Sequence, residues 1–127
     1  MKTKFTIGSY YSRKEISAVL GGPLQWYLPT VNRKIVAVCL RKNHNPKAPN
    51  VVFCGFGTRI ELTGEWLSQE TRALPVFVKE DMNRWKYHGR FKVTSSCTSG
   101  PEFKREVAGA EDAASISRVV FMERAYK

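Results

Sequence analysis

The chain has 127 residues, enough for one hydrophobic core and too few for two, and its hydrophobic (43%) and charged (25%) fractions exclude a disordered chain. Its net charge of +10 is concentrated: residues 1–50 hold nine Lys or Arg against the single acid Glu15, whereas residues 51–127 hold twelve against ten. Such a surface attracts nucleic acid, an anionic membrane or an acidic protein. No apolar run approaches 18 residues and no signal-peptide segment opens the chain, so a soluble, cytoplasmic protein without membrane contact is expected. Cys39, Cys54 and Cys97 are odd in number and far apart, with no CxxC pair or Cys/His cluster. Neither a disulfide framework, a zinc site nor any other cofactor is indicated. Cys39 and Cys54 lie in apolar runs and read as small buried hydrophobes.

In chain order, "KFTIGSYYS" alternates loosely and reads as a first strand or an extended arm. "SRKEISAVLGG" carries a helix start and stop: Ser12 and Glu15 have capping-box spacing, Ile16, Val19 and Leu20 form an apolar stripe, and Gly21 suits the residue after the end. Pro23 and Pro29 bracket "LQWYL", which is thereby a poor central strand. "KIVAVCL" is a continuous apolar run that reads as a buried strand, and "RKNHNPKAPN" as a basic loop. "VVFCGF" is the next strand. Thr58 and Glu61 repeat the capping-box spacing and open a helix of about three turns, with Ile60 and Leu67 on its inner side. "LPVFVKE" and "RWKYHGRFKVTSSC" are two further strands joined by the polar turn "DMNR". The chain then passes a break at "TSGPE" and a small-residue stretch to a closing strand, "ISRVVFME". With no linker or repeat, residues 1–127 read as a single α+β domain. It would be a small mixed barrel of five or six strands, mostly in meander order, with two short helices.

Catalysis finds little support. His44 and His88 both sit in basic contexts, and Glu61 with Glu65 is most simply a solvated helix face. No triad and no nuclease-like pair of carboxylates followed by a lysine can be drawn, so a non-enzyme is favoured, with no catalytic or metal-binding residue assigned. Three stretches fit nucleic acid instead. "GFGT" joins a strand to a helix start, where Phe56, Gly57 and Thr58 form either a plain connection or an anion site at a helix N-terminus. Trp26 and Tyr27 are neighbours on an extended segment and cannot face one core together. At least one ring either packs under a loop or reaches a site where it can stack on a base. In "RWKYHGRFKV", alternation puts Trp85, Tyr87, Phe91 and Val93 on an inner face and Arg84, Lys86, His88, Arg90 and Lys92 on an outer one. With Arg13, Lys14, Arg33, Lys34, Arg41 and Lys42, that outer face predicts a surface that follows phosphates.

The order of these motifs resembles the SRA-like domains found beside HNH endonucleases in bacterial restriction systems. "YSRKEISAVLGGPLQWYLPT" is similar to their opening helix, Gly-Gly and Gln-bearing loop, "VVFCGFGT" to the next strand and glycine loop, and "LPVFVKEDMNRWKYHGRFKV" to the closing strand pair. The likeness spans residues 9–94 and implies a PUA-like fold, a strand-rich barrel flanked by short helices. It further implies binding of nucleic acid, DNA favoured over RNA, with a modified base flipped into an aromatic pocket. Arg13, Gln25, Trp26, Tyr27 and the Gly55–Thr58 loop would border that pocket, and Trp85, Tyr87 and Gly89 would form the structural signature strand. The chain lacks the Tyr-Asp-Gly loop and the acidic glycine-rich turn of those readers and carries no nuclease domain, so a reader here would act alone or with a separate nuclease subunit. Two other classes stay open: a small ASCH-like RNase or nucleoside-modifying hydrolase, and a basic protein-interaction or inhibitor module.

Overall fold

A computed structural model describes residues 5–125. Strand β1 (Tyr10–Tyr11) leads into helix α1 (Arg13–Leu20), and the hairpin β2 (Thr30–Val31) and β3 (Lys34–Ile35) precedes β4 (Val38–Arg41) and β5 (Val51–Cys54). Helix α2 (Thr58–Ser68) is followed by β6 (Leu74–Asp81), β7 (Arg84–Cys97), α3 (Gly100–Val107), a 3₁₀ turn (Ala113–Ser115) and β8 (Arg118–Arg124). The α+β barrel-like architecture expected from the sequence is present.

Helix α1 starts where the sequence requires. The Ser12 hydroxyl accepts from the Glu15 amide (3.1 Å) and the Glu15 carboxylate accepts from the Ser12 amide (2.8 Å), so both halves of the capping box form. At α2 the expected Thr58–Glu61 box does not form. Gly57, not Thr58, is the N-cap, and the Glu61 carboxylate accepts its amide at 2.9 Å. "KIVAVCL" is broken rather than continuous, because Asn32 (φ 51°) and Arg33 (φ 64°) turn a tight hairpin that pairs Lys34 and Ile35 with β2. The expected break at "TSGPE" begins the third helix, α3, with a proline in its first turn.

The main sheet runs β4-β6-β7-β8-β5, with β1 attached to β7. Strand β4 pairs in parallel with β6 and β8 inserts between β7 and β5, so the strands depart from the expected meander order. Inside the barrel, Val38, Leu40, Val52, Val76, Val78, Phe91, Val120 and Met122 from the five longer strands meet Leu67 of α2. Outside, Phe5, Ile16, Cys39, Phe77, Trp85 and Tyr87 pack beneath α1, while Phe53, Val107, Ile116 and Val119 pack beneath α3.

The arrangement splits β7. Trp85 and Tyr87 face the core under α1, but Phe91 faces the barrel interior. The register shifts by one where Val76 pairs with Gly89 and Phe77 with Tyr87, and a bulge of this kind inverts the alternation beyond it. The five basic residues of this strand therefore do not share one face. Lys86 lies opposite Val78 and is half-buried, whereas Arg90 and Lys92 are exposed beyond the bulge.

Candidate functional site

The sheet has two free edges, β4 and β5, and neither pairs with the other. Loops satisfy them instead. The Cys39 amide on β4 donates to the Tyr27 carbonyl (2.8 Å), and the Phe53 amide on β5 donates to Oδ1 of the buried Asn45 (2.8 Å). Asn45 Nδ2 donates in turn to the Arg41 carbonyl (3.4 Å), so one side chain spans the gap. Beside this bridge, where the three packed regions converge, lies a cavity of about 490 Å³. Such a volume suits a small ligand or a nucleobase.

Its inner wall is Cys39, Phe53, Cys54, Ile60, Trp85 and Ile116, and its rim carries Gln25, Arg41, His44, Phe56 and Arg59. A lip formed by Ala110–Asp112 and Ser115 brings Glu111 and Asp112 to the same cavity. An ion pair between Lys47 and Glu106 (2.8 Å) ties the loop after β4 to α3, just before that lip.

Arg13 lies in the wall and is only 9% exposed. Its Nη2 donates to the carbonyls of Pro23 (2.9 Å) and Trp26 (3.0 Å), and its guanidinium lies 5.2 Å from the Trp85 ring centroid. Arg13 thus pins the 23–26 loop to α1. Its Nε is buried and has no hydrogen-bond partner. Tyr27 donates its hydroxyl to the Ile60 carbonyl (2.9 Å). Burial, followed by the neighbouring Cys54, pushes that phenol well above its usual range. Burial also pushes the Cys54 thiol up to about 11 and the Cys39 thiol up to about 12. Both thiols are therefore protonated at neutral pH and are poor nucleophiles. Gly64 lets α2 approach this corner, since a Cβ there would meet Cys54 Sγ at 3.1 Å and the Tyr27 hydroxyl at 3.3 Å.

The expected site residues divide. Arg13, Gln25, Tyr27 and Phe56 line the cavity, with Phe56 56% exposed at the rim. Trp26 stands outside the lining, with the Arg59 guanidinium 4.5 Å over its ring. Lys14, Gly57 and Thr58 are exposed and also outside it. Arg84, Lys86, His88, Arg90 and Lys92 are not brought to the cavity, and Arg84 stacks on Tyr10 at 4.2 Å. Sequence reasoning missed Asn45, Arg59 and the lip of Ala110–Asp112 and Ser115 as site residues. The Asn-Pro pair at 45–46 signals a turn but not its buried bridge. Among the described residues no group of three or more His, Cys, Asp or Glu is placed to hold a metal ion, and no helix is long and apolar enough to cross a membrane.

The model of one family, DUF6697, described as a domain of unknown function, matches residues 10–109. No curated protein matches the chain. Among solved structures, the SRA domain of SUVH5, determined in complex with hemimethylated CG DNA, superposes with a TM-score of 0.65. It shares 14% identity, over 100% of this chain and 93% of that one. A likeness at this identity is one of fold, and it shows the SRA-like architecture expected from the ordered motifs.

Proposed function

The chain belongs to the DUF6697 family, and from that premise and its SRA-like fold we propose that it is a non-catalytic DNA-binding domain that takes a flipped, modified base into the cavity between β4 and β5. The reading covers residues 1–127 as one domain. The observation that carries it is the cavity itself, with aromatic and apolar walls inside and Arg41 and Arg59 exposed at its mouth. Exposed arginines suit phosphates, and enclosed aromatics suit a base. Flipping costs a few kcal/mol, and a stacking ring returns about 1–3 kcal/mol. Tyr27, Phe56 and a few Arg contacts are enough to offset that cost. The SUVH5 domain was solved with DNA bound, which supports DNA over RNA. The resemblance to domains beside HNH endonucleases supports a separate nuclease subunit as partner. The protonated thiols at the cavity argue against a hydrolase that uses them.

Fluorescence anisotropy at two salt concentrations tests this reading. The panel is duplex and single-stranded oligonucleotides, unmodified, cytosine-methylated and hydroxymethylated. A modified-base preference that survives the higher salt is expected, because phosphate contacts weaken with salt and base contacts do not. Arg59→Ala should weaken all duplexes alike and lower the salt slope by about one. No binding at low salt would sink the proposal and turn attention to protein partners.

A further inference from the structure

We propose that the cleft beside the cavity is a phosphate site, in which Arg41 and Lys79 hold the backbone linkage next to the base in the cavity. The inference rests on the base-binding reading above and adds the anchor that fixes which nucleotide enters.

The cleft lies between the loop after β4 and the end of β6, has a volume of about 240 Å³, and is lined by Arg41, Lys42, Asn43, Lys79, Glu80 and Asp81. Three observations point to an anion there. First, Arg41 and Lys79 are the last pair of the parallel β4–β6 ladder, so their side chains leave one face of the sheet side by side. Neighbouring strands lie about 4.8 Å apart, and like charges directly opposite are unfavourable until an anion sits between them. Second, neither cation has an acceptor. Among the described residues the ion pairs are Lys42–Glu80, Lys47–Glu106 and Arg72–Glu70, and no hydrogen bond engages the side chain of Arg41 or Lys79. The acids of the cleft are already committed: Glu80 stands 3.9 Å from Lys42, and Asp81 Oδ1 accepts the Met82 amide at 2.7 Å. Both cations can be reached, since Arg41 is exposed and the half-buried Lys79 keeps its Nζ open to solvent. Third, the pair adjoins the cavity. Arg41 lines both spaces, and Lys79 Nζ lies 5.9 Å from the ring centroid of Trp85 in the cavity wall. The Arg41 carbonyl accepts from the Asn45 side chain that bridges the gap, so the pair and the cavity keep one geometry.

A backbone linkage has two free oxygens that share one negative charge. Arg41 offers a planar fork and Lys79 a point charge, a set that suits those oxygens. A base carries no such charge and belongs in the apolar cavity, while its own phosphate, one sugar away, meets the cations at the border. Arg59 is placed differently, over Trp26 at 4.5 Å and outside the cleft. A linkage held at the cleft limits which nucleotide can turn into the cavity, so the pair sets register as well as adding attraction.

The test uses the full chain and duplexes of one sequence with a central 5-methylcytosine. In each, one linkage is an uncharged methylphosphonate, placed 5′ to the modified nucleotide, 3′ to it, or several linkages away. Anisotropy gives the affinities. The wild-type chain is expected to lose about tenfold at one of the two flanking linkages, as for hydrogen bonds to a charged group, and little at the remote one. Arg41→Gln and Lys79→Gln should each weaken the fully charged duplex by a similar factor and lose nothing further at that linkage. Arg59→Gln should still lose the whole factor there, because it acts elsewhere on the backbone. A flat wild-type profile overturns the inference, and so do variant losses that simply add to the loss at the linkage. If the variants do not fold, the wild-type profile decides by itself. An unmodified duplex run in parallel keeps the two readings apart. Preference for the modified duplex without coupling to a flanking linkage leaves the base-binding reading standing and removes the phosphate site. Binding without that preference, or no binding, defeats the base-binding reading and the inference with it.

Discussion

The β6–β7 seam and the gap between β4 and β5 belong to one sheet but are built in opposite ways. At β6–β7 the ladder runs from Leu74 opposite Phe91 to Asp81 opposite Arg84. Its outer face is sealed by Phe5, Phe77 and Tyr87, whose ring centroids lie 5.0–5.6 Å apart. Between β4 and β5 no ladder exists. One buried asparagine and the 23–29 loop satisfy the edges, and a cavity of about 490 Å³ stands beside them. Aromatic packing and backbone pairing coincide at the closed seam, so that seam should carry stability. The gap leaves charged and polar groups facing a space, so it should carry ligand energy at some cost to stability.

The largest expected effect comes from the closed seam. Phe77 is fully buried at the centre of the ring cluster, and Phe77→Ala should destabilise the chain by about 3–5 kcal/mol. Urea denaturation reads this, and oligonucleotide affinity at temperatures where the variant stays folded should hardly change. A loss of binding without a loss of stability would break the division between the two regions. Next comes the gap. Asn45→Ala leaves the Phe53 amide buried without its acceptor and should cost about 1–3 kcal/mol. Because Asn45 lines the cavity, this variant should also alter oligonucleotide affinity, which Phe77→Ala should not. Smaller still is Ser12→Ala, which removes the hydroxyl half of the α1 capping box for about 1 kcal/mol. Ser12 precedes Arg13, so a shift in binding larger than the shift in stability would show that the helix start positions the cavity wall.

The features legible in the sequence were those set by near neighbours. The Ser12–Glu15 box is complete within four residues, and the alternation of Trp85 and Tyr87 follows from strand geometry. Long-range pairing decided the rest. The bulge near Gly89 depends on the partner strand β6, so the sequence does not show that Phe91 leaves the face of Trp85 and Tyr87, or that the five basic residues divide between two faces. The parallel pairing of β4 with β6 joins segments separated by a helix, and no local pattern encodes it. Helix α3 hid behind Gly100 and Pro101, which read as a break although proline is well suited to a first turn. At the site, composition alone reads Arg13 as one of the basic surface residues, and the resemblance is what places it at the border of a pocket. Only the folded loop shows its side chain turned inward to Pro23 and Trp26. The acidic lip at Glu111 and Asp112 read as a bland stretch, because α3 is what carries it to the cavity.

The smallest expected effect contrasts two buried nitrogens. Among the described residues, Arg13 Nε and His88 Nε2 are buried without a hydrogen-bond partner. Arg13 lines the cavity, and its Nη2 is held by the carbonyls of Pro23 and Trp26. His88 sits at the β7 bulge and is not among the lining residues. Burial first, then the charge of Lys86, lowers the His88 pKa; Glu80 pulls the other way, and Arg124 and Lys42 add smaller lowering contributions. Folding therefore favours the neutral ring. A histidine with a depressed folded pKa contributes stability that is fully present above its unfolded value, about 6.5, and is lost as pH falls from there toward the folded value. The unfolded chain binds the proton more readily in that window, so acid shifts the balance toward it. His88 is half-exposed, and after allowance for solvent screening the loss should stay below about 1 kcal/mol. Urea midpoints measured from pH 7.5 to 5 should decline slightly in the wild-type chain and less in His88→Gln. If His88→Gln keeps the whole decline, the acid sensitivity belongs to another group, and the closed seam contains no titratable weak point.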